Sequence, residues 1–96
     1  MIHLEPQYLA DVRSILSQFV PNAVIMAFGS RVRGNHKKFS DLDLMINNSQ
    51  KLDYITLSQI KDAFTESNLP IKVDVVDWHD INEEFRKAIN ASCTLL

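Results

Sequence analysis

The sequence predicts an α/β protein in which a small mixed β-sheet is flanked by helices, in the order α-β-β-α-β-α. Two observations predict this class: apolar residues recur at helical spacing in three segments, and short β-type runs separate these segments. Of the 96 residues, 46% are hydrophobic and 23% are charged, as in an ordinary globular domain. We therefore expect one domain over residues 1–96, with no room for a second substrate-binding module.

The first part of the chain predicts a helix, a buried strand and a polar connection. Residues 6–19 carry apolar side chains at helical spacing, and Pro6 suits a first helical turn. Residues 23–28, AVIMAF, form the short continuous apolar run that is typical of a buried strand, and Gly29 ends it. Residues 29–40 are polar and basic, which indicates a loop or a short helix.

The middle of the chain predicts a second strand and a second helix. Residues 41–47, DLDLMIN, alternate in polarity, and this pattern is typical of a strand with one buried face. The residues expected on the buried face are Leu42, Leu44 and Ile46. Helical spacing then resumes over about residues 53–65, and Pro70 lies just beyond its end.

The last part predicts a third strand and a final helix. Residues 71–78, IKVDVVDW, are rich in β-branched side chains and read as a strand. Asp80, three residues before Glu83, has the spacing of a helix cap. The positions expected to point inward from this helix are Ile81, Phe85, Ala88 and Ile89. The tail NASCTLL, residues 90–96, has no assigned structure.

Charge and composition exclude several classes of partner and location. The net charge is −2, so the basic surface of a general nucleic-acid binder is missing, and no direct nucleic-acid partner is expected. No apolar run approaches the ~18 residues of a membrane span. The single cysteine, Cys93, has no second cysteine to pair with, so a reducing cytoplasm is the simplest compartment.

Two aspartates in the second predicted strand are candidates for a metal site. Asp41 and Asp43 stand two residues apart, so their side chains point to the same face, roughly 6.6 Å apart along the chain. Like charges on one face repel each other unless a cation offsets them, and carboxylate oxygens are ligands that Mg²⁺ prefers. Taken alone, the pair also fits a turn residue followed by a solvated strand position.

Asp74 favours the metal interpretation because it lies inside a valine-rich strand, where an unpaired buried charge is costly. If the second and third strands are neighbours, Asp74 completes a cluster of three carboxylates. An exposed edge or a structural ion pair is the alternative for this residue. Asp77 faces the other way by strand alternation, and we expect it at the strand end or in solvent.

A glycine, a serine and a basic segment precede these carboxylates. Gly29 follows a buried strand directly, where its conformational freedom allows a sharp turn and the close approach of another group. Ser30 offers a hydroxyl and an N–H to an anion. The basic side chains that can donate to a polyphosphate are Arg31, Arg33, Lys37 and Lys38. The Walker A pattern is absent, so the combination predicts a metal–triphosphate site of another kind.

Two stretches of the chain resemble one known family. GSRVRGNHKKFSDLDL (29–44) and KVDVVDW (72–78) are similar to the minimal nucleotidyltransferase (MNT) proteins of the DNA polymerase β superfamily, and the likeness runs from Pro6 to about Ile89. The resemblance implies the nucleotidyltransferase fold, ATP as donor and two Mg²⁺ ions. The nucleotide-binding residues that it implies are Gly29, Ser30, Arg31 and Arg33. The catalytic and magnesium-binding residues that it implies are Asp41, Asp43 and Asp74.

The same resemblance suggests a partner. MNT proteins are commonly the antitoxins of HEPN-domain ribonucleases, which implies transfer of AMP to a hydroxyl, expected to be that of a tyrosine, on a cognate HEPN toxin. The alternative is a nucleotide-binding protein that neutralises the toxin by forming a complex with it, without catalysis. A free-standing transferase acting on a small molecule is a third interpretation, and the expected single domain counts against it.

Overall fold

The structure, a computed structural model, describes residues 1–96. Helices α1 to α4 cover Pro6–Phe19, Ser30–Arg33, Tyr54–Thr65 and Glu83–Ala91. Strands β1 to β4 cover Val24–Phe28, Leu42–Asn47, Val73–Asp77 and Cys93–Leu95, and a 3-10 turn, Trp78–Asp80, follows β3. None of the helices combines the length and the apolar composition that crossing a bilayer requires.

The four strands form one sheet in the order β3-β2-β1-β4. Strand β1 runs antiparallel to both β2 and β4, whereas β2 and β3 are parallel. A parallel pair needs a crossover connection, and α3 supplies it between β2 and β3. The predicted class, a small mixed sheet flanked by helices, is confirmed.

The main core lies on one face of this sheet. Leu42, Leu44 and Ile46 are each 0% exposed and belong to the same cluster as the apolar stripes of α1 and α3. The helix residues buried in that cluster are Val12, Leu16, Ile60 and Phe64. Full burial of such a side chain stabilises the fold by roughly 1.5–3 kcal/mol, so this face fixes the orientation of β2. Strand alternation then turns Asp43 to the opposite face.

The opposite face is also partly covered. Helix α4 lies there: Ile89 is 1% exposed, and the ring of Phe85 meets the ring of Phe28 edge-on at 5.9 Å between centroids. Met45 on β2 is buried as well, at 4% exposed. The sequence predicted a strand with one buried face, and the structure differs at Met45 because both faces of the sheet carry helices.

The last helix begins later than the sequence predicts. Asn82 is the cap instead of Asp80, since the N–H of Phe85 donates to Asn82 Oδ1 at 2.8 Å. Asp80 lies in the 3-10 turn and forms an ion pair with Lys51 at 2.9 Å. Of the predicted inward positions only Ile89 is buried, because α4 covers part of the second face and leaves Phe85 39% exposed.

Strand β4 was not predicted. It pairs antiparallel with β1, with Cys93 opposite Phe28 and Leu95 opposite Met26. Three residues are too few to show a period of two, and the strand forms because the edge of β1 offers hydrogen-bonding partners. The tail of the chain therefore forms one edge of the sheet, and β3 forms the other.

Candidate functional site

The candidate site is a row of side chains that crosses three strands. Phe28 on β1 stands opposite Asp43 on β2, and Asp43 stands beside Asp74 on β3. Paired residues of neighbouring strands point to the same face, with their backbones about 4.8 Å apart, so these three side chains are neighbours. The structure therefore brings two of the predicted carboxylates together and places an aromatic ring next to them, which the sequence did not indicate.

The carboxylates of this row influence one another. Burial raises the pKa of Asp43 above its ordinary value of 3.8, and the charges of Asp74 and Asp41 raise it further. Arg33 acts in the opposite direction and lowers the pKa of Asp43. Ionised Asp43 is therefore disfavoured in the folded chain unless a cation comes close to it.

Asp41, the third predicted carboxylate, stands just before β2 begins at Leu42. No three His, Cys, Asp or Glu side chains converge closely enough to hold a metal ion by themselves. Lys72 occupies one side of Asp74, with its Nζ 3.3 Å from Asp74 Oδ1. In proteins Mg²⁺ is usually held by one or two carboxylates together with substrate phosphates, and the donor set around Asp43 fits a site that a nucleotide completes.

Gly29 connects β1 to α2 and touches the central carboxylate. Its φ of 83° lies in the left-handed region that favours glycine, and a Cβ at this position would overlap Asp43 Oδ2. Ser30 follows as the first residue of α2, so the polar connection contains the short helix that was one of its two predicted forms. The backbone at the start of α2 consequently lies against Asp43.

Arg31 does not face the carboxylates. It is 4% exposed, and its guanidinium donates hydrogen bonds to the carbonyl oxygens of His3 at 2.7 Å, Ser40 at 2.9 Å and Lys38 at 3.0 Å. These bonds join the N-terminal segment and the loop after α2 to the helix itself. The expectation that Arg31 contacts a triphosphate does not fit this placement, because the side chain is buried among backbone acceptors.

The other basic residues of the segment are exposed. Arg33 is the one whose charge acts on Asp43, and it forms no ion pair in this structure. Lys37 and Lys38 lie on the loop that follows α2, and the Nζ of Lys38 sits 5.3 Å from the centre of the Phe39 ring. The basic segment thus divides into a structural residue, Arg31, and a residue beside the site, Arg33.

Asp77 has a structural role that the sequence did not reveal. It ends β3, as expected for a strand-end residue, but it is only 3% exposed. The N–H of Leu52 donates to its Oδ2 at 2.8 Å, and the N–H of His79 donates to its Oδ1 at 3.0 Å. The carboxylate therefore ties the segment before α3 to the end of the strand that carries Asp74.

A cleft of about 950 Å³ opens over the row and continues past the edge strand β3 to α3. Aromatic rings, the two carboxylates and two lysines line it. The residues concerned are Phe28, Phe85, Asp43, Asp74, Lys61 and Lys72. Because this cleft depends on how α3 and α4 pack around the edge strand, the linear pattern of the sequence gives no sign of it.

Known proteins are similar to this chain in sequence and in fold. Residues 11–96 match the family described as polymerase beta, nucleotidyltransferase. Over 88 residues the chain is 46% identical to a protein of Haemophilus influenzae named probable protein adenylyltransferase MntA. The matched segment covers 92% of this chain and 77% of that protein.

Two solved structures of toxin–antitoxin pairs have a similar fold. One, with AMP-PNP, has a TM-score of 0.77 and 22% sequence identity, and the match covers 90% of this chain and 69% of that chain. The other contains a tri-AMPylated HEPN toxin of Shewanella oneidensis with its MNT antitoxin; it has a TM-score of 0.69 and 21% identity and covers 93% and 70% of the two chains. At these identities the likeness concerns the fold.

Proposed function

The chain belongs to the polymerase beta nucleotidyltransferase family, and from this membership we propose that it transfers AMP from ATP to a hydroxyl of a HEPN ribonuclease toxin, as the antitoxin of that toxin. The observation that carries the proposal is the 46% identity, over 92% of the chain, to a protein named as a protein adenylyltransferase. We propose a tyrosine as the acceptor. The free thiol of Cys93 is consistent with the reducing cytoplasm as the compartment.

The proposal assigns the residues of the site to two groups. Gly29 and Ser30 bring the backbone at the start of α2 to the phosphates, and Arg33 supplies a charge-assisted donor beside them. Asp41, Asp43 and Asp74 would hold magnesium, which would supply charge neutralisation for the triphosphate and for the departing pyrophosphate. The raised pKa of Asp43, caused by burial and by its two acidic neighbours, supports this assignment.

The residues of the chain have distinct tasks in the transfer. The acceptor hydroxyl oxygen attacks the α-phosphorus, the bond from the α-phosphorus to the leaving pyrophosphate breaks, and AMP becomes attached to the acceptor. Asp74 accepts or directs the hydroxyl proton, and Lys72, 3.3 Å away, orients that carboxylate. Arg33 offsets the negative charge that collects around Asp43 and the triphosphate.

A second candidate function is neutralisation of the toxin by complex formation, with the nucleotide bound but not transferred. The observation that favours it is the lack of three converging metal-binding side chains in the chain by itself. Under this alternative, ATP would order the site without being consumed, and the carboxylates would have no chemical task.

One experiment separates the two functions. The purified chain is mixed with its HEPN partner, ATP and either Mg²⁺ or a chelator, and the intact mass of the partner is measured. We expect AMP addition with Mg²⁺ only, and none for the double variant Asp41→Asn, Asp43→Asn. Asp11→Asn, which changes an exposed residue of α1, is the matched control and should transfer normally.

The toxicity of the partner in cells gives the second readout. If the wild-type chain adds no mass to the partner and the double variant still protects cells as well as wild type, complex formation is the function. If protection disappears together with transfer, the enzymatic function is supported.

A further inference from the structure

A second cavity borders the cleft that lies over the carboxylates. It has a volume of about 380 Å³, and Pro70 and Ile71 line both spaces. The loop after α2 contributes Lys38 and Phe39 to its lining, and α1 contributes Tyr8. A protein that places a hydroxyl in the cleft can therefore reach this second cavity with a neighbouring part of its surface.

Phe39 is an exposed ring on a loop whose backbone is fixed from inside. Its exposed fraction is 71%. The carbonyls of Lys38 and Ser40, on either side of it, accept hydrogen bonds from the buried guanidinium of Arg31 at 3.0 and 2.9 Å. The N–H of Lys37 also donates to Ser40 Oγ at 2.7 Å. A partner that covers the ring consequently does not have to order the loop first, which favours binding.

The same loop carries positive charge that the chain does not neutralise. Lys37 and Lys38 are exposed and form no ion pair. The sequence has no Asp or Glu between Asp11 and Asp41, and the Nζ of Lys38 lies 5.3 Å from the centre of the Phe39 ring. An exposed ring with unpaired lysines beside it is complementary to an apolar side chain flanked by carboxylates.

The second cavity fits a protein segment better than a nucleic acid. Glu5 also lines it and would repel a phosphate group placed inside, whereas an apolar side chain carries no charge to repel. Its apolar lining, which includes Leu4, Phe39, Pro70 and Ile71, suits an aliphatic or aromatic side chain. The net charge of −2 also lacks the basic surface of a general nucleic-acid binder.

Resting on the function proposed above, we propose that the second cavity and the loop residues Lys37, Lys38 and Phe39 form a docking surface for the acceptor protein. The segment that docks there places an apolar side chain in the cavity against Phe39, and its neighbouring carboxylates pair with the two lysines. Because the cavity and the cleft share Pro70 and Ile71, this contact holds the acceptor while its hydroxyl lies in the cleft. The docking surface therefore contributes affinity for the acceptor and takes no part in the chemistry.

Binding of the purified HEPN partner, measured by calorimetry without ATP so that no transfer occurs, tests the role of the ring. Phe39→Ala is expected to raise the Kd of the complex about tenfold, because a central aromatic contact is lost. The Kd for AMP-PNP in the absence of the partner should not change. Tyr54→Ala is the matched control, since it removes a ring that is 85% exposed and lines neither the cleft nor the second cavity, and both Kd values should stay as in wild type.

The same measurement at two salt concentrations tests the role of the charges. The double variant Lys37→Gln, Lys38→Gln is expected to raise the Kd for the partner about tenfold at low salt and less at high salt, because salt screens the exposed lysines. Lys87→Gln removes an exposed lysine of α4 that lines neither space and should bind the partner as wild type does. Equal Kd values for wild type and the double variant at low salt would contradict the pairing with carboxylates.

Cross-linking identifies the segment that docks. A photoreactive p-benzoylphenylalanine in place of Phe39 should attach to a segment of the HEPN partner that contains Asp or Glu, and the same group in place of Tyr54 should attach to none. Attachment from position 39 to a segment without Asp or Glu would overturn the proposed chemistry of the partner.

The outcomes also separate this inference from the function on which it rests. A Phe39→Ala variant with the wild-type melting temperature and wild-type affinity for the partner overturns the inference. Equal weakening of AMP-PNP binding overturns it as well, since the ring would then belong to the nucleotide site, and so does a variant that keeps the partner but loses binding to a single-stranded RNA oligonucleotide. A wild-type chain that binds the partner through this surface and adds no AMP overturns the transferase function and leaves the docking surface in place.

Discussion

Asp43 and Asp74 are register partners on two parallel strands, so the sheet holds their backbones side by side with both side chains on one face. The backbones of these two residues cannot move apart without breaking the pairing of β2 with β3. The repulsion between them is therefore built into the fold; Lys72 and Arg33 offset part of it, and a bound cation or a proton relieves it further. We therefore expect the two neighbouring carboxylates to lower the free energy of unfolding when neither a metal ion nor a nucleotide is bound.

Replacing Asp43 by Asn should stabilise the chain when metal and nucleotide are absent. The pKa of Asp43 is raised above 3.8 in the folded state, so the stability that belongs to its protonated form is fully present below about pH 3.8 and is lost as the pH rises through the raised pKa. At pH 7 in a chelator, Asp43→Asn should melt a few degrees above wild type. The difference should shrink towards zero as the pH falls to 3.8.

The matched control for this prediction is Asp11→Asn on the exposed surface of α1, which should change the melting temperature little at either pH. A lower melting temperature for Asp43→Asn at pH 7 in chelator would mean that the carboxylate is stabilised by its surroundings, and the electrostatic description of the site would be wrong.

Alanine variants of the two glycines separate the effect of backbone strain on stability from the effect of a blocked site on AMP transfer. Gly34 has φ 87° and ψ 3°, a left-handed helical conformation in which alanine is unfavourable by about 1–2 kcal/mol. Gly29 has φ 83° and ψ −160°, a conformation that is essentially confined to glycine and costs another residue on the order of 1–3 kcal/mol. Only at Gly29 would the added Cβ overlap Asp43; at Gly34 its nearest neighbour is His3 Nε2 at 3.5 Å, an ordinary contact. Gly34→Ala should therefore lose stability but keep AMP transfer, whereas Gly29→Ala should lose both.

Denaturant unfolding and the mass assay measure these two properties separately. Equal transfer by both glycine variants, at a temperature where both are folded, would show that the close approach of Gly29 to Asp43 is not required for the reaction.

The two arginines of the basic segment should affect different properties. Arg31→Ala leaves three carbonyl groups without their donor in a buried place and should cost on the order of 3 kcal/mol of unfolding free energy. Arg33→Ala removes an exposed side chain and should change stability little, but it should reduce AMP transfer about ten- to a hundredfold. Lys37→Ala and Lys38→Ala should cause smaller losses that depend on salt concentration.

Urea unfolding and initial transfer rates at two salt concentrations test this division. The result that would overturn it is a stable Arg31→Ala variant with impaired transfer, since Arg31 would then belong to the nucleotide site after all.

Asp77 should be important for stability and not for chemistry. Asp77→Ala leaves the N–H groups of Leu52 and His79 without an acceptor and should cost about 3 kcal/mol, measured by urea unfolding. Asp80→Ala is the matched control three residues away: its ion pair with Lys51 joins side chains that are 59% and 62% exposed, so its loss should shift the urea midpoint little. Similar midpoints for the two variants would contradict the role assigned to Asp77.

The sequence predicted those parts of the fold that local pattern determines. Helical spacing located α1 and α3, and alternation around Leu42 and Leu44 identified the face of β2 that carries Asp43. Neighbouring strands were needed to bring Asp43 to Asp74, and the structure confirms that adjacency. The assignment of these aspartates to magnesium, and of Gly29 and Ser30 to the nucleotide, stays a prediction.

Features that depend on distant parts of the chain were not predictable in this way. The buried position of Arg31 results from the carbonyl of His3, which lies 28 residues earlier. Strand β4 exists because β1 accepts it, and the burial of Asp77 depends on the segment before α3. In the sequence, a charged residue that binds a ligand cannot be distinguished from one that hydrogen-bonds to backbone carbonyls.

The hydrogen bonds of Arg31 also make two separate stretches of chain, the N-terminal segment and the loop after α2, open and close together. One guanidinium holds the carbonyls of residue 3, residue 38 and residue 40, so neither of these stretches can fray alone without leaving the buried cation short of acceptors. Amide protons in residues 2–4 and 36–40 should consequently exchange with deuterium as one cooperative unit. A nucleotide that orders the loop before Asp41 would then slow exchange at the start of the chain, far along the sequence from anything it touches.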